Sequence, residues 1–212
     1  MSIKVNPGNF VLMLFLLFVV SLFQINSLNA EDWTTFSTKN HAKSNGLNIT
    51  VRYPSNYTAK EGKRPHVVQL FSAPMGPIHN YGNNLILLVF PLDHNGYQLL
   101  MSPSFTVDNF MEIVFQEFNV IQVIYKKDIN HENQKGFMFA VLVTLERAGD
   151  TKIGIIESLY VIYNNSLIQA QCGSITDDLS ELGIENLKSY HQNNSYIYKE
   201  FFNSLTLLDQ YQ

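Results

Sequence analysis

The sequence predicts an α+β fold, a mainly antiparallel β-sheet with packed helices, and three observations carry that prediction. Apolar runs of period two follow one another across short turn-forming clusters, as in hairpins. Two stretches, one central and one C-terminal, switch to the helical period of 3.6. The run Leu85 to Phe90 holds no polar residue, so it reads as an inner strand needing cover on both faces. Helices grouped between blocks of hairpin-joined strands belong to the α+β class.

Residues 1–30 stand apart from that domain. Lys4 precedes "FVLMLFLLFVVSLF", Phe10 to Phe23, in which Ser21 is the one polar residue, and "QINSLNA" then leads to "EDW". A basic start, an apolar middle and a small residue at the end make a secretory signal peptide, cleaved after Ala30. Its apolar run of about 14 residues reaches about 21 Å as a helix, short of a hydrocarbon core of about 30 Å. Retention as an anchor is therefore the weaker reading, and membrane contact is expected only if this segment is uncleaved. The mature chain is expected in an exported space, periplasmic or secreted. An Asn, Ile, Lys and Tyr usage like that of an AT-rich genome points to a bacterial periplasm.

Removing Lys4 with the leader makes the formal net charge of -4 one unit more negative, which opposes attraction to nucleic acid or anionic lipid. The one cysteine, Cys172, excludes an internal disulfide and reads as a small buried hydrophobe. N-x-S/T sequons start at Asn48, Asn56, Asn164 and Asn193, as often as an Asn-, Ser- and Thr-rich chain produces by chance.

The remaining chain suits one domain over 47–212, preceded by a polar lead-in, 31–46, that docks through Trp33 and Phe36. In "LNITVRY", Leu47, Ile49, Val51 and Tyr53 share one face of a half-buried strand. A connection rich in Pro, Gly and cations leads to the strand "HVVQLF", and a second loop containing Pro74, Gly76, Pro77 and Gly82 leads to "NNLILLVFPL". In "SPSFTVDNFMEIVFQEFN", Thr106 or Ser104 caps a helix whose apolar stripe is Val107, Phe110, Met111, Val114, Phe115 and Phe118. Such a stripe is read as core; a ligand pocket is the minor alternative. "VIQVIY" and "FMFAVLVTLE", separated by "KKDINHENQKG", form an antiparallel pair, and "KIGIIESLYVIY" turns at Asn164-Asn165 into "SLIQAQC". "TDDLSELG" suits a short helix with an acidic start and a glycine stop. Ile197, Tyr198, Phe201, Phe202, Leu205 and Leu208 line a final amphipathic helix.

Two short stretches carry a family resemblance. Tyr53-Pro54-Ser55-Asn56-Tyr57 ends the early strand, and Phe201-Phe202-Asn203-Ser204-Leu205 ends the last helix. With the order of elements, they resemble the PsbP and DcrB-like group of small exported α-β-α sandwich domains, with Tyr57 where those domains commonly have tryptophan. "AKEGKRPHVVQLF" is similar to a stretch of uncharacterised bacterial envelope proteins of this type. The resemblance implies an accessory or assembly factor, mostly non-catalytic, that binds a partner in or beside a membrane. It assigns no functional residue.

No catalytic or metal motif stands out from the residues themselves. His66, His79 and His94 could converge with Asp93, but no pair among the histidines has metal-ligand helical spacing, so no metal or other cofactor is expected. "DINHEN" lacks the sixth-position Gly and twelfth-position Glu of a calcium loop. "QCGSI" places Cys172 and Ser174 at a strand end without an assignable base, and Asp177-Asp178 suits a helix N-terminus. The remaining candidate is the connection "YPSNYTAKEGKRPH". Lys60, Lys63 and Arg64 form a basic cluster, with Tyr53 and Tyr57 before it and His66 after, a composition suited to an acidic or phosphorylated partner. The alternative is an ordinary turn with solvated charge.

These features favour an exported, non-catalytic binding or assembly module of the cell envelope, with a protein partner. An exported hydrolase whose site is assembled from distant loops, or an immunity or inhibitor protein, is the alternative.

Overall fold

The computed structural model describes residues 32–74, 81–116, 118–147 and 150–211. The leader with its cleavage position, and Gly76, Pro77 and His79, lie outside the described residues. Ten strands and four α-helices are described. They are β1 (Trp33–Ser37), β2 (Ile49–Pro54), β3 (Thr58–Glu61), β4 (Val67–Ser72), β5 (Tyr81–Pro91), α1 (His94–Met101), α2 (Val107–Val114), β6 (Asn119–His131), β7 (Gln134–Arg147), β8 (Asp150–Tyr163), β9 (Ser166–Thr176), α3 (Glu181–Asn193), α4 (Ser195–Asn203) and β10 (Thr206–Leu207).

The strands form a seven-stranded sheet in the order β3-β4-β5-β9-β8-β7-β6 and a three-stranded sheet in the order β1-β2-β10. Every pairing is antiparallel. The alternation along each strand decides which layer covers it. Leu85, Leu87, Val89, Leu159, Val161, Ile168, Ala170 and Cys172 point to one face. There they meet Ile49 and Val51 of β2 and Ile197, Tyr198, Phe201 and Phe202 of α4. Phe137, Phe139, Val141, Val143, Tyr160 and Ile162 point to the other face and meet Val107, Phe110 and Met111 of α2. The large sheet is thus sandwiched between the small sheet with α3 and α4 on one side and α1 with α2 on the other.

Each face is organised around a ring cluster. Phe71 lies 4.2 Å from Tyr53 in a stack and meets Phe36 and Phe201 edge-on at 5.7 and 6.0 Å. On the opposite face Phe110 stacks on Phe137 at 4.7 Å and meets Tyr160 edge-on at the same separation. Such offset and edge-to-face pairs contribute about 0.5–1.5 kcal/mol each beyond their area.

The strands expected in "LNITVRY", "HVVQLF" and "NNLILLVFPL" are present as β2, β4 and β5, and so is the hairpin at Asn164-Asn165. Both of those residues have positive φ, 45° and 54°, and Tyr163 pairs with Ser166 across them. Other elements differ from the reading of the sequence. The lead-in contributes β1, which pairs with β2, while Trp33 and Phe36 pack on the core as expected. The connection after β2 carries the short strand β3 and crosses between sheets, since β2 and β4 belong to different ones. β5 is flanked by β4 and β9, but Ile86, Leu88 and Phe90 on its second face are only half-buried.

Helix α1 is an element that the reading of the sequence did not include. Asp93 caps it, accepting from the Gly96 N–H at 2.7 Å. α2 ends at Val114, so Phe115 and Phe118 lie beyond it. "KKDINH" extends β6 rather than forming a loop, and Glu132 and Asn133, with φ of 50° and 64°, make the turn. Gly183 opens α3 instead of closing a helix: a Cβ there would lie 2.4 Å from the Asp178 carboxyl carbon, so glycine lets the entering turn fold against the helix. No helix among the described residues is long and apolar enough to cross a membrane.

Candidate functional site

The residues of the basic connection separate when the chain folds. Tyr53 stacks on Phe71, and Tyr57 is buried with its hydroxyl accepting from Asn83 Nδ2 at 3.0 Å. Lys60, Lys63, Arg64 and His66 are exposed. Lys60 lies in β3, Lys63 and Arg64 follow it, and the His66 ring lies 4.9 Å from that of Phe90 in β5. His94 begins α1. Among the described residues no group of three or more His, Cys, Asp or Glu side chains is placed to hold a metal.

The tertiary fold assembles a polar chain that spacing did not reveal. Ser174 in β9 lies 3.0 Å from His191 Nδ1 in α3, and His191 Nε2 lies 3.3 Å from Glu157 Oε2 in β8. The Tyr125 hydroxyl of β6 donates to Glu157 Oε1, and Tyr198 of α4 lies 2.7 Å from Ser174 Oγ. One direction of donation satisfies every group: Tyr198 to Ser174, Ser174 to His191, His191 to Glu157, and Tyr125 to the second carboxylate oxygen. Burial first, and then the hydrogen bond to Glu157, holds the Tyr125 phenol well above its usual range. Burial likewise pushes up the Tyr198 phenol and the Cys172 thiol.

Serine, histidine and glutamate in that order resemble a nucleophile, a base and its orienting acid. A nucleophile must also meet its substrate, and Ser174 is 0% exposed. His191 and Glu157, with side chains 12% and 13% exposed, are the members that approach the surface. They border a groove of about 400 Å³ between α3 and the β6 side of the sheet, with Gln122, Ile124 and Lys188 at its walls. With the base occupied by Ser174 on one side and Glu157 on the other, the chain ties five elements together. Cys172 is fully buried. Ser174 in "QCGSI" was the one sequence signal for this cluster; its base lies 17 residues away, beyond a strand end and a turn.

Beside the groove, β6 is one edge of the seven-stranded sheet. Ile121, Val123 and Ile124 are 48%, 43% and 43% exposed. The register with β7 shifts between Val120 and Gln122 and again between Val123 and Tyr125, so Ile121 and Ile124 are the inserted residues. Bulged residues are turned out of the regular pleat, here to solvent.

No known protein family matches the chain by sequence, and no curated protein does. Among solved structures it is similar to cyanobacterial PsbP (CyanoP) from Synechocystis sp. PCC 6803, with a TM-score of 0.52 and 11% identity over 84% of this chain and 94% of that one. The Ran-binding protein Mog1p of Saccharomyces cerevisiae gives a TM-score of 0.49 and 6% identity over 84% and 96% of the two chains. LpqN of Mycobacterium tuberculosis, described as involved in cell envelope biogenesis, gives 0.37 and 9% over 76% and 87%. The fold is a PsbP-like α+β sandwich, as the resemblance implied.

Proposed function

We propose that the chain is an exported, non-catalytic binding module of the bacterial cell envelope that takes an extended segment of a partner protein along β6. The observation that supports this reading is the edge itself. β6 runs for 13 residues, and Ile121, Val123 and Ile124 stand exposed beside an edge that no other described strand pairs. An added strand would satisfy the outward backbone groups by main-chain hydrogen bonds and cover those side chains, the recognition mode of β-augmentation. The signal-like residues 1–30 support export, and the burial of Ser174 weighs against the hydrolase alternative.

Photo-crosslinkers placed at Ile121 and Ile124, in cells carrying the full chain, test the proposal. One partner protein should be captured at both positions and not from Thr58 on β3, and an Ile121→Asp/Ile124→Asp variant should lose at least about tenfold in affinity for it. Equal capture from β3, or an unchanged affinity in the variant, overturns the edge reading. Cross-links only between copies of this chain would make β6 a homodimer seam.

A further inference from the structure

A second cleft lies on the opposite side of the large sheet, where α1 and α2 meet it. Two cavities of about 280 and 400 Å³ adjoin there and share Phe90, Val114, Tyr160 and Gln169 as lining. The larger lies within the range, about 300–1,000 Å³, in which small molecules are bound, and the smaller lies just below it.

The cleft has a polar end and an apolar end. Gln169, Gln171 and Ser158 floor the smaller cavity, and Gln169 Nε2 lies 2.9 Å from Gln171 Oε1 and 3.3 Å from Ser158 Oγ. Leu99, Leu100, Ile113 and Leu167 line the larger one, with Leu99 51% and Ile113 50% exposed at its rim. Arg64, which lines the smaller cavity, is among the described residues the single charged one lining either. Among the described residues no carboxylate pairs with it.

We infer that this cleft binds a single-chain amphiphile with a monoanionic carboxylate head, a free fatty acid, with the carboxylate on Arg64 and the chain running toward Leu99 and Leu167. A guanidinium holds a carboxylate through two parallel hydrogen bonds. One cation matches one negative charge, whereas a phosphate monoester carries about 1.5 to 2 and would leave charge uncompensated. Arg64, Ser158 and Gln171 line the smaller cavity among apolar and aromatic side chains, whereas Leu99, Leu100, Ile113 and Leu167 line the larger one, so a head fits the first and its tail the second. The phenylalanine stripe read from the sequence as helix core thereby has a second use, since Phe110, Val114, Phe115 and Phe118 all line this cleft. The inference is independent of β6.

Calorimetric titration of the mature chain with oleate below its micelle concentration tests it. Saturable one-to-one binding is expected, weakened about tenfold or more by Arg64→Glu and by Leu99→Glu. Both positions are exposed, and circular dichroism and the melting temperature of each variant verify the fold; Arg64→Gln serves if Arg64→Glu does not fold. Oleyl alcohol should bind more weakly than oleate, and so should oleoyl lysophosphatidate. Methyl resonances of Ile156 and Leu167 should shift on titration while those of Ile49, across the sheet, stay in place. Absence of saturable binding, equal binding by both variants, or oleyl alcohol matching oleate overturns the proposal. Tighter binding of the lysophosphatidate overturns the choice of a carboxylate head.

Discussion

The two edges of the seven-stranded sheet are built in opposite ways. β3 has four residues, Thr58, Ala59, Lys60 and Glu61, all exposed, and Pro65 follows it. Lys43 reaches its end, 2.9 Å from Glu61 and donating to the Gly62 carbonyl. A short, charged strand followed by proline is a poor template for further pairing. β6 is 13 residues long, and its two halves differ: Lys126, Lys127 and Asp128 put charge on the second half, while the first half is bulged at Ile121 and Ile124 and exposes apolar side chains, Ile121, Val123 and Ile124. The first half ends at Tyr125, whose hydroxyl donates to the half-buried Glu157. An edge fastened to the core by buried hydrogen bonds can stay open to solvent without fraying; one held by surface charge contributes little and is protected by being short.

The largest test of this contrast is Glu157→Ala. It leaves the Tyr125 hydroxyl and His191 without their acceptor and should cost about 2–4 kcal/mol in urea unfolding, with the first half of β6 losing hydrogen-exchange protection. Loss of stability without loss of protection in β6 would show that the polar chain does not hold the edge. Tyr125→Phe removes one hydrogen bond and keeps the ring, so about 1 kcal/mol is expected.

Alkaline pH probes the same fastening. Burial raises the phenols of Tyr125, Tyr160 and Tyr198 above their unfolded value of about 10. Their neutral forms are favoured in the fold, so this contribution is fully present below about pH 10 and is lost as pH rises through the higher folded values. The melting temperature should fall more steeply above about pH 10 in the wild type than in Tyr125→Phe. At the other edge, Glu61→Ala removes an exposed ion pair and should leave the urea midpoint unchanged, and a clear loss would show that β3 is held by more than its charges.

Much of this fold was legible because local patterns and tertiary needs agree. Asn164-Asn165 supplies the positive φ of a tight turn, and the Phe110 stripe has nowhere to go but a sheet. Readings failed where a local signal was reused. Gly183 resembles a helix stop but relieves a contact with Asp178, and "KKDINH" resembles a polar loop but lies on an edge strand, where both faces can be wet. The candidate sites were less legible. Tyr57 in the basic connection is taken by the core, and Arg64 lines one cavity with Phe90 and Gln171, residues far from it along the chain that no local spacing brings together.

The sequence by itself determined the α+β class, most strands and the helical faces, because period and turn chemistry are local properties of the chain. Only the tertiary structure decided that β2 and β4 enter different sheets, that Ser174, His191 and Glu157 meet, and which edge stays open. Those outcomes depend on β5 pairing with β9 and on helices crossing over the sheet. Such contacts join residues far apart along the chain and are chosen by the burial they achieve together.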